Sequence, residues 1–563
     1  MKGITLYSQN GTAIHGFFGV PYAKPPVKEL RWAYPVELEP WNDTLTTTGY
    51  KPRCAQAPRT NQSRLMYVVS EDCLYLNIYT PKLHTKSADL PVLFMIHGGG
   101  YVSGGSDLYP AIGVVNNLAA RGLVVVTVNY RLGAFGYLTS GDEQLPGNFG
   151  LMDLIMSLRW VNENIAAFGG DPKRVTVYGV STGAHAASLL LMYPKVADMV
   201  KQAILQSGSA MLPSSSNISI AVDTSRRFTV DLGCGDFRQS NIEKVMDCAR
   251  NKSTDEIVRA SATEHLYWRP AAADKFIASS LRERPPMNMM IGVDRDEYSF
   301  FVAPEKARAR MLSPTRWGQP IRFDAFTRAD VKESLNRTLT LYEIDPNSMA
   351  ARVAALIYDD GDNANVLDEN TAQQAQHFWN YKYQWDQPGS SEQFDSKADD
   401  RTYWFRQYVK LEGDSVFFAP AYREASAMAL HGGSVYLYSF DHLSQNDRCK
   451  WSWRGVAHAD DQQYLMALPG RLTASNQFVA THMDYAVADC FGHMIANFVQ
   501  TGDPSSSTKP CRIKWPPLKV LPNGRVSSEY LSYSARPMIK TRFHPRATDF
   551  WADSVWMLGD LKL

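Results

Sequence analysis

Five consecutive residues, Gly179-Val180-Ser181-Thr182-Gly183, place a hydroxyl between two glycines at the spacing of a strand-to-helix elbow. The run 174–178 before them is β-branched and apolar, and the residues after them are alanine-rich. Small residues on either side leave room for a tight turn, so the serine oxygen can project from the end of a strand. The helix beginning there aims its N–H groups at any negative charge that develops nearby. This is the setting of a serine nucleophile, which makes Ser181 the candidate acyl acceptor.

A serine that attacks a carbonyl needs donors for the resulting oxyanion, a base for its proton, and an acid to orient the base. His97-Gly98-Gly99-Gly100 offers the donors, since glycine backbone can present two N–H groups without side-chain obstruction. Gly99 and Gly100 are the candidate oxyanion-hole residues, with the N–H of Thr182 as the third donor. Twelve histidines compete for the role of base. His458 stands out, in the turn-like stretch Gly455-Val456-Ala457-His458-Ala459-Asp460-Asp461, whereas His185 lies on the elbow helix and reads as a packing residue. Glu297 follows an apolar run in Gly292-Val293-Asp294-Arg295-Asp296-Glu297, and Asp296 competes with it for the acid. The order serine, glutamate, histidine along the chain is one that strand-to-helix elbows use.

The elements that must hold these residues alternate. Runs 91–97, 123–129, 174–178 and 203–206 read as strands, and 151–167 and 182–192 as helices. Runs 287–292 and 435–440 read as later strands of the same sheet. The alternation predicts an α/β chain with a mostly parallel central sheet flanked by helices. Residues 300–430 read as mostly helical and suit a cap, and 387–401 as a surface loop. No linker or repeat divides residues 1–563, which are expected to form a single domain.

Hydrophobic residues make up 45% and charged residues 20%, with 58 basic against 57 acidic side chains. That balance gives no reason to expect nucleic acid or an anionic membrane as partner. No apolar run is long enough to span a bilayer.

Of seven cysteines, Cys54 with Cys73 and Cys234 with Cys248 are close in sequence, as in small disulfide loops; Cys449, Cys490 and Cys511 have no evident partners. Glycosylation sequons begin at Asn10, Asn42, Asn61, Asn217, Asn251 and Asn336. Paired cysteines and six sequons favour a secreted protein. The N-terminus lacks an apolar signal-peptide core, so the expectation is a mature chain from which that segment is missing.

Together these residues resemble the type-B carboxylesterase/cholinesterase family of the α/β-hydrolase fold, most closely its insect-type carboxylesterases. The resemblance spans nearly the whole chain. It includes Phe18-Gly19-Val20-Pro21-Tyr22-Ala23-Lys24-Pro25-Pro26, Glu71-Asp72-Cys73-Leu74-Tyr75-Leu76-Asn77-Ile78, Asn129-Tyr130-Arg131-Leu132-Gly133, Pro146-Gly147-Asn148 and Phe168-Gly169-Gly170-Asp171-Pro172. It implies a serine ester hydrolase with the triad Ser181, Glu297 and His458, an oxyanion hole of Gly99, Gly100 and Thr182, and disulfides Cys54–Cys73 and Cys234–Cys248. It implies a small-molecule ester as partner, no metal or organic cofactor, and a monomer or homodimer.

The chain also departs from that pattern. Val180 and Thr182 replace the polar residue and alanine usual beside the serine, and Tyr298 replaces the glycine after the acid. The β-branched Thr182 is expected to crowd the oxyanion hole. No tryptophan lies between Cys54 and Cys73, which argues against acetylcholine, because a quaternary ammonium group wants an aromatic face. The long interval from Glu297 to His458 suggests inserted cap structure. The alternative function is that of a weakly active or inactive member serving in ligand binding or cell adhesion; the three filled triad positions favour the enzyme.

Overall fold

A computed structural model describes residues 1–58, 67–83, 89–212, 218–263, 266–271, 284–302, 315–316, 319–320, 327–342, 344–345, 348–358, 400–446, 455–466, 480–506 and 511–554. Eleven strands form one sheet: β1 (Ile4–Tyr7), β2 (Ala13–Pro21), β3 (Tyr75–Thr80), β4 (Leu90–Ile96), β5 (Val124–Val128), β6 (Gly170–Val180), β7 (Gln202–Gln206), β8 (Asn288–Asp294), β9 (Val435–Phe440), β10 (Tyr530–Tyr533) and β11 (Met538–Lys540). Their spatial order is β1-β2-β3-β5-β4-β6-β7-β8-β9-β10-β11. Pairing is parallel from β5 through β10 and antiparallel at both margins.

Strand periodicity explains why the centre of this sheet reads as continuous apolar sequence. On β4, Val92, Phe94 and Ile96 enter one buried cluster, while Leu93 and Met95 enter another. On β5, Val124, Val126 and Val128 join the first and Val125 the second. A strand covered on both faces has no polar side to show. The flanking layers include α1 (Phe149–Asn164), α2 (Thr182–Leu190), α3 (Arg328–Leu341), α4 (Asp400–Gly413), α5 (Ala419–Leu430), α6 (Asp460–Met466) and α7 (His482–Thr501). Helix α1 buries Leu151, Leu154, Leu158 and Val161, a stripe at helical spacing. Helix α3 starts at Thr327, whose side chain forms a capping box with Asp330.

The central strands fall where the sequence places them, within a residue or two, except that β6 begins earlier, at Gly170. The marginal strands β1, β2, β3, β10 and β11 carry no such apolar run. The region 300–430 is helical in α3, α4 and α5 and in a helix at Met349–Tyr358. Thr315–Arg316 and Gln319–Pro320 instead form a short antiparallel pair. Most of the expected surface loop 387–401 lies outside the described residues; its last two belong to α4.

Candidate active site

Ser181 sits between β6 and α2 at φ 58° and ψ −129°, outside the regions that L-residues favour. The surrounding backbone fixes this strained turn. The Ser181 N–H donates to the Gln206 carbonyl at 2.8 Å, and its own carbonyl accepts from Ala184 at 2.9 Å and His185 at 3.1 Å. The two framing glycines are needed for space: a Cβ at Gly179 would run into the backbone of Gly183, and one at Gly183 into the Ile96 carbonyl. A Cβ at Gly98 would lie 2.8 Å from that of Ser181, so glycine there lets the 97–100 loop close against the serine.

At the same end of the sheet, two strands along, Glu297 follows β8. Strand register carries this through Val180 opposite Gln206 and Gln206 opposite Gly292. Its Oε2 lies 2.5 Å from His458 Nδ1, and its Oε1 accepts the Asp294 N–H at 2.9 Å. The His458 N–H donates to the Glu297 carbonyl at 3.2 Å. Glu297 is fully buried and His458 only 5% exposed. Asp296, the competing acid, points elsewhere: its Oδ2 accepts the Val456 N–H at 2.8 Å and pairs with Arg295 Nε at 2.9 Å. It ties down the loop that delivers His458. His185 stays on the elbow helix, its Nδ1 2.6 Å from the Tyr101 hydroxyl. Burial, reinforced by Arg269, pushes its pKa down to about 3, so it remains neutral at ordinary pH.

The glycine loop after β4 takes backbone conformations open to few other residues, with φ 128° at Gly99 and 68° at Gly100. The Asn129-Tyr130-Arg131-Leu132-Gly133 run supports it. The Tyr130 hydroxyl donates to the His97 carbonyl at 2.8 Å, and the Gly133 N–H donates to the Tyr101 carbonyl at 2.7 Å. Arg131 in turn is locked by both carboxylate oxygens of buried Asp153, at 2.8 and 2.7 Å. Within the candidate hole, the Gly100 N–H donates to Thr182 Oγ1 at 3.0 Å. Among the described residues no group accepts the N–H of Gly99 or of Thr182.

Two features around His458 are not evident from the motifs. Phe300, Phe301 and Phe417 surround its imidazole, with ring centroids 5.9, 5.2 and 5.0 Å away. Phe417 comes from a π-type turn, Asp414–Phe418, leading into α5. Tyr298, which stands at the unusual position after the acid, packs on Phe301 and on Tyr408 of α4. The run Tyr298-Ser299-Phe300-Phe301 was the available sequence signal for this apolar wall.

The second feature is a pair of buried acids behind Glu297. The Asp461 N–H donates to Asp294 Oδ1 at 3.2 Å. Burial, with repulsion from Glu297, pushes Asp461 up to about 7, and burial with repulsion from Asp461 raises Asp294 as well. The folded state therefore holds the Asp461 proton more tightly than the unfolded chain does. That contribution to stability is complete below the ordinary value of 3.8 and is lost as pH rises to about 7. Asp461→Asn is expected to lose less melting temperature than the parent chain between pH 4 and pH 8. Parallel melting curves for the two across that range would show that Asp461 does not carry the effect.

Disulfides join Cys54 to Cys73, Cys234 to Cys248 and Cys490 to Cys511. The last ties α7 to the segment that follows it, at a separation of 21 residues, and Cys449 lies outside the described residues. Asn10, Asn42, Asn251 and Asn336 are exposed; Asn61 and Asn217 lie outside the described residues. Among the described residues no helix is long and apolar enough to cross a membrane, and no cluster of His, Cys, Asp and Glu could hold a metal ion.

A profile described as the carboxylesterase family matches residues 1–551. Among curated proteins, the chain is similar to the liver carboxylesterase of Sus scrofa, 28% identical over 557 residues, which cover 95% of this chain and 88% of the relative. It is 29% identical to the pyrethroid hydrolase Ces2e of Rattus norvegicus over 562 residues, 97% of this chain and 86% of the relative. It is 27% identical to gut esterase 1 of Caenorhabditis briggsae over 553 residues, 95% and 88% of the two chains.

Proposed function

We infer, from the premise that this chain belongs to the carboxylesterase family and is a hydrolase of that type, that it cleaves carboxylic esters by two-step acyl transfer through Ser181. One observation carries the reading. Ser181 stands on a strained elbow at the same end of the sheet where buried Glu297 holds His458 by Nδ1. An ionised carboxylate can only accept, so the proton between them belongs on Nδ1 and Nε2 is left as the base.

In this mechanism His458 takes the Ser181 proton as the oxygen attacks the ester carbonyl. Backbone N–H groups of the 99–100 loop and of Thr182 hold the oxyanion. The alcohol leaves with the proton from His458, and a water deprotonated by the same imidazole then releases the acid and restores the serine. Glu297 fixes the tautomer and stabilises the imidazolium.

The phenylalanines around His458 favour lipophilic esters over charged ones, because an apolar wall offers no compensation for a desolvated charge. The three disulfides and the exposed sequons support a secreted protein. The test is labelling by a fluorophosphonate probe together with turnover of p-nitrophenyl esters of increasing acyl length. Labelling, and kcat/KM rising from acetate to longer acyl chains, are expected. A chain that neither labels nor turns over any of these esters is not an ester hydrolase.

A further inference from the structure

We propose that the Thr182 hydroxyl is a resident occupant of the oxyanion hole, holding the Gly100 N–H until the developing oxyanion displaces it. The proposal rests on the Ser181 reading above and concerns how that same site sets its rate.

Thr182 is the first residue of α2. Side chains in a helix lean toward its N-terminus, here toward the 97–100 loop. Helix and loop cannot separate to relieve the contact, because Gly183 packs directly on the Ile96 and His97 carbonyls and Gly98 on Ser181. Thr182 Oγ1 therefore accepts the Gly100 N–H at 3.0 Å, a normal hydrogen bond. The other two candidate donors, Gly99 and Thr182 N–H, have no acceptor among the described residues. One of three donors is thus occupied in the resting site while two stand ready.

The consequence falls on the transition state more than on binding. A neutral ester carbonyl has no advantage over a hydroxyl as an acceptor, so it does not displace Oγ1. A charged oxyanion makes the stronger hydrogen bond and does displace it, but loses the worth of the neutral bond it breaks. Only interactions that differ between ground and transition states alter kcat, so Thr182 lowers kcat and leaves KM nearly unchanged.

Thr182→Ala removes the hydroxyl and the bulk together. Its kcat on a short p-nitrophenyl ester is expected to rise roughly three- to tenfold, the worth of one neutral hydrogen bond, with little change in KM. A trifluoromethyl ketone, which reacts with the serine to give a stable oxyanion, should bind tighter by a similar factor. Thr182→Ser restores the hydroxyl and should reverse most of the gain in kcat seen with Thr182→Ala. Thr182→Val keeps the bulk where the oxyanion must sit and should not gain. If Thr182→Ala is no faster and binds the ketone no tighter, while the parent chain is labelled by fluorophosphonate and Ser181→Ala is not, the occupant role fails and the Ser181 reading stands. A slower Thr182→Ala would make the hydroxyl a helpful donor and equally overturn it. If the parent chain takes no label, the Ser181 reading itself fails, and this proposal with it.

Discussion

Replacing Ser181 by alanine is expected to lower ester turnover by roughly 10⁵- to 10⁶-fold and to abolish fluorophosphonate labelling without disturbing the fold. The size follows from what is removed. In the proposed mechanism, removing the oxygen leaves no acyl-enzyme and gives His458 and Glu297 no proton to move, so three groups are silenced by one substitution. What remains is the oxyanion hole and the apolar wall, which bind ester but offer it only water. The fold should survive because, among the described residues, Ser181 hydrogen-bonds through its backbone: the N–H to Gln206 and the carbonyl to Ala184 and His185. Alanine meets the same difficulty at φ 58° as serine, so the strain is unchanged. Parent and variant should therefore melt alike. A variant that keeps more than about a hundredth of the parent rate would place the nucleophile elsewhere.

How much of this was legible in the sequence depended on how many constraints met at each residue. The elbow at 179–183 and the loop at 97–100 could be read because glycine is required at each for a close approach that no other residue permits. The central strands could be read because both faces are buried, so β4 and β5 show unbroken apolar runs. The marginal strands lacked that signature: β1 alternates between half-buried and exposed positions, and β10 and β11 are only four and three residues long. The Cys490–Cys511 pairing, with a separation of 21 residues much like the 19 of Cys54–Cys73, was left open because Cys449 stood as a third cysteine that could have taken either partner.

Other features depended on side-chain direction. Residue pattern left Asp296 and Glu297 as neighbours with equal chemistry and only the family resemblance chose Glu297; the backbone after β8 sends Glu297 toward His458 and Asp296 toward Val456. Thr182 could be seen as bulk beside the serine, but not as a hydrogen-bond acceptor for Gly100. Phe417 lies more than a hundred residues from Phe300, so the wall around His458 could be assembled only by the fold.

That division between Asp296 and Glu297 yields the second large effect, Glu297→Gln, expected to cost about 10³- to 10⁴-fold in kcat. Glutamine has the same shape, yet the site fixes which way its amide turns. Glu297 Oε1 accepts the buried Asp294 N–H at 2.9 Å, so an amide oxygen must take that position to keep the donor satisfied. The NH₂ then faces His458 Nδ1, where the carboxylate had accepted at 2.5 Å. A donor there forces Nδ1 to accept and puts the imidazole proton on Nε2, the nitrogen that takes the proton of Ser181 in the proposed mechanism. The opposite turn of the amide would set NH₂ against the Asp294 N–H and leave two buried donors facing each other. Both orientations fail for electrostatic reasons, so repacking the site cannot rescue the variant. Asp296→Asn is the control. Its oxygen can still accept from Val456, the half-exposed Arg295 pair weakens, and the rate should fall less than tenfold. Equal losses in the two variants would mean that the acid had been assigned to the wrong neighbour.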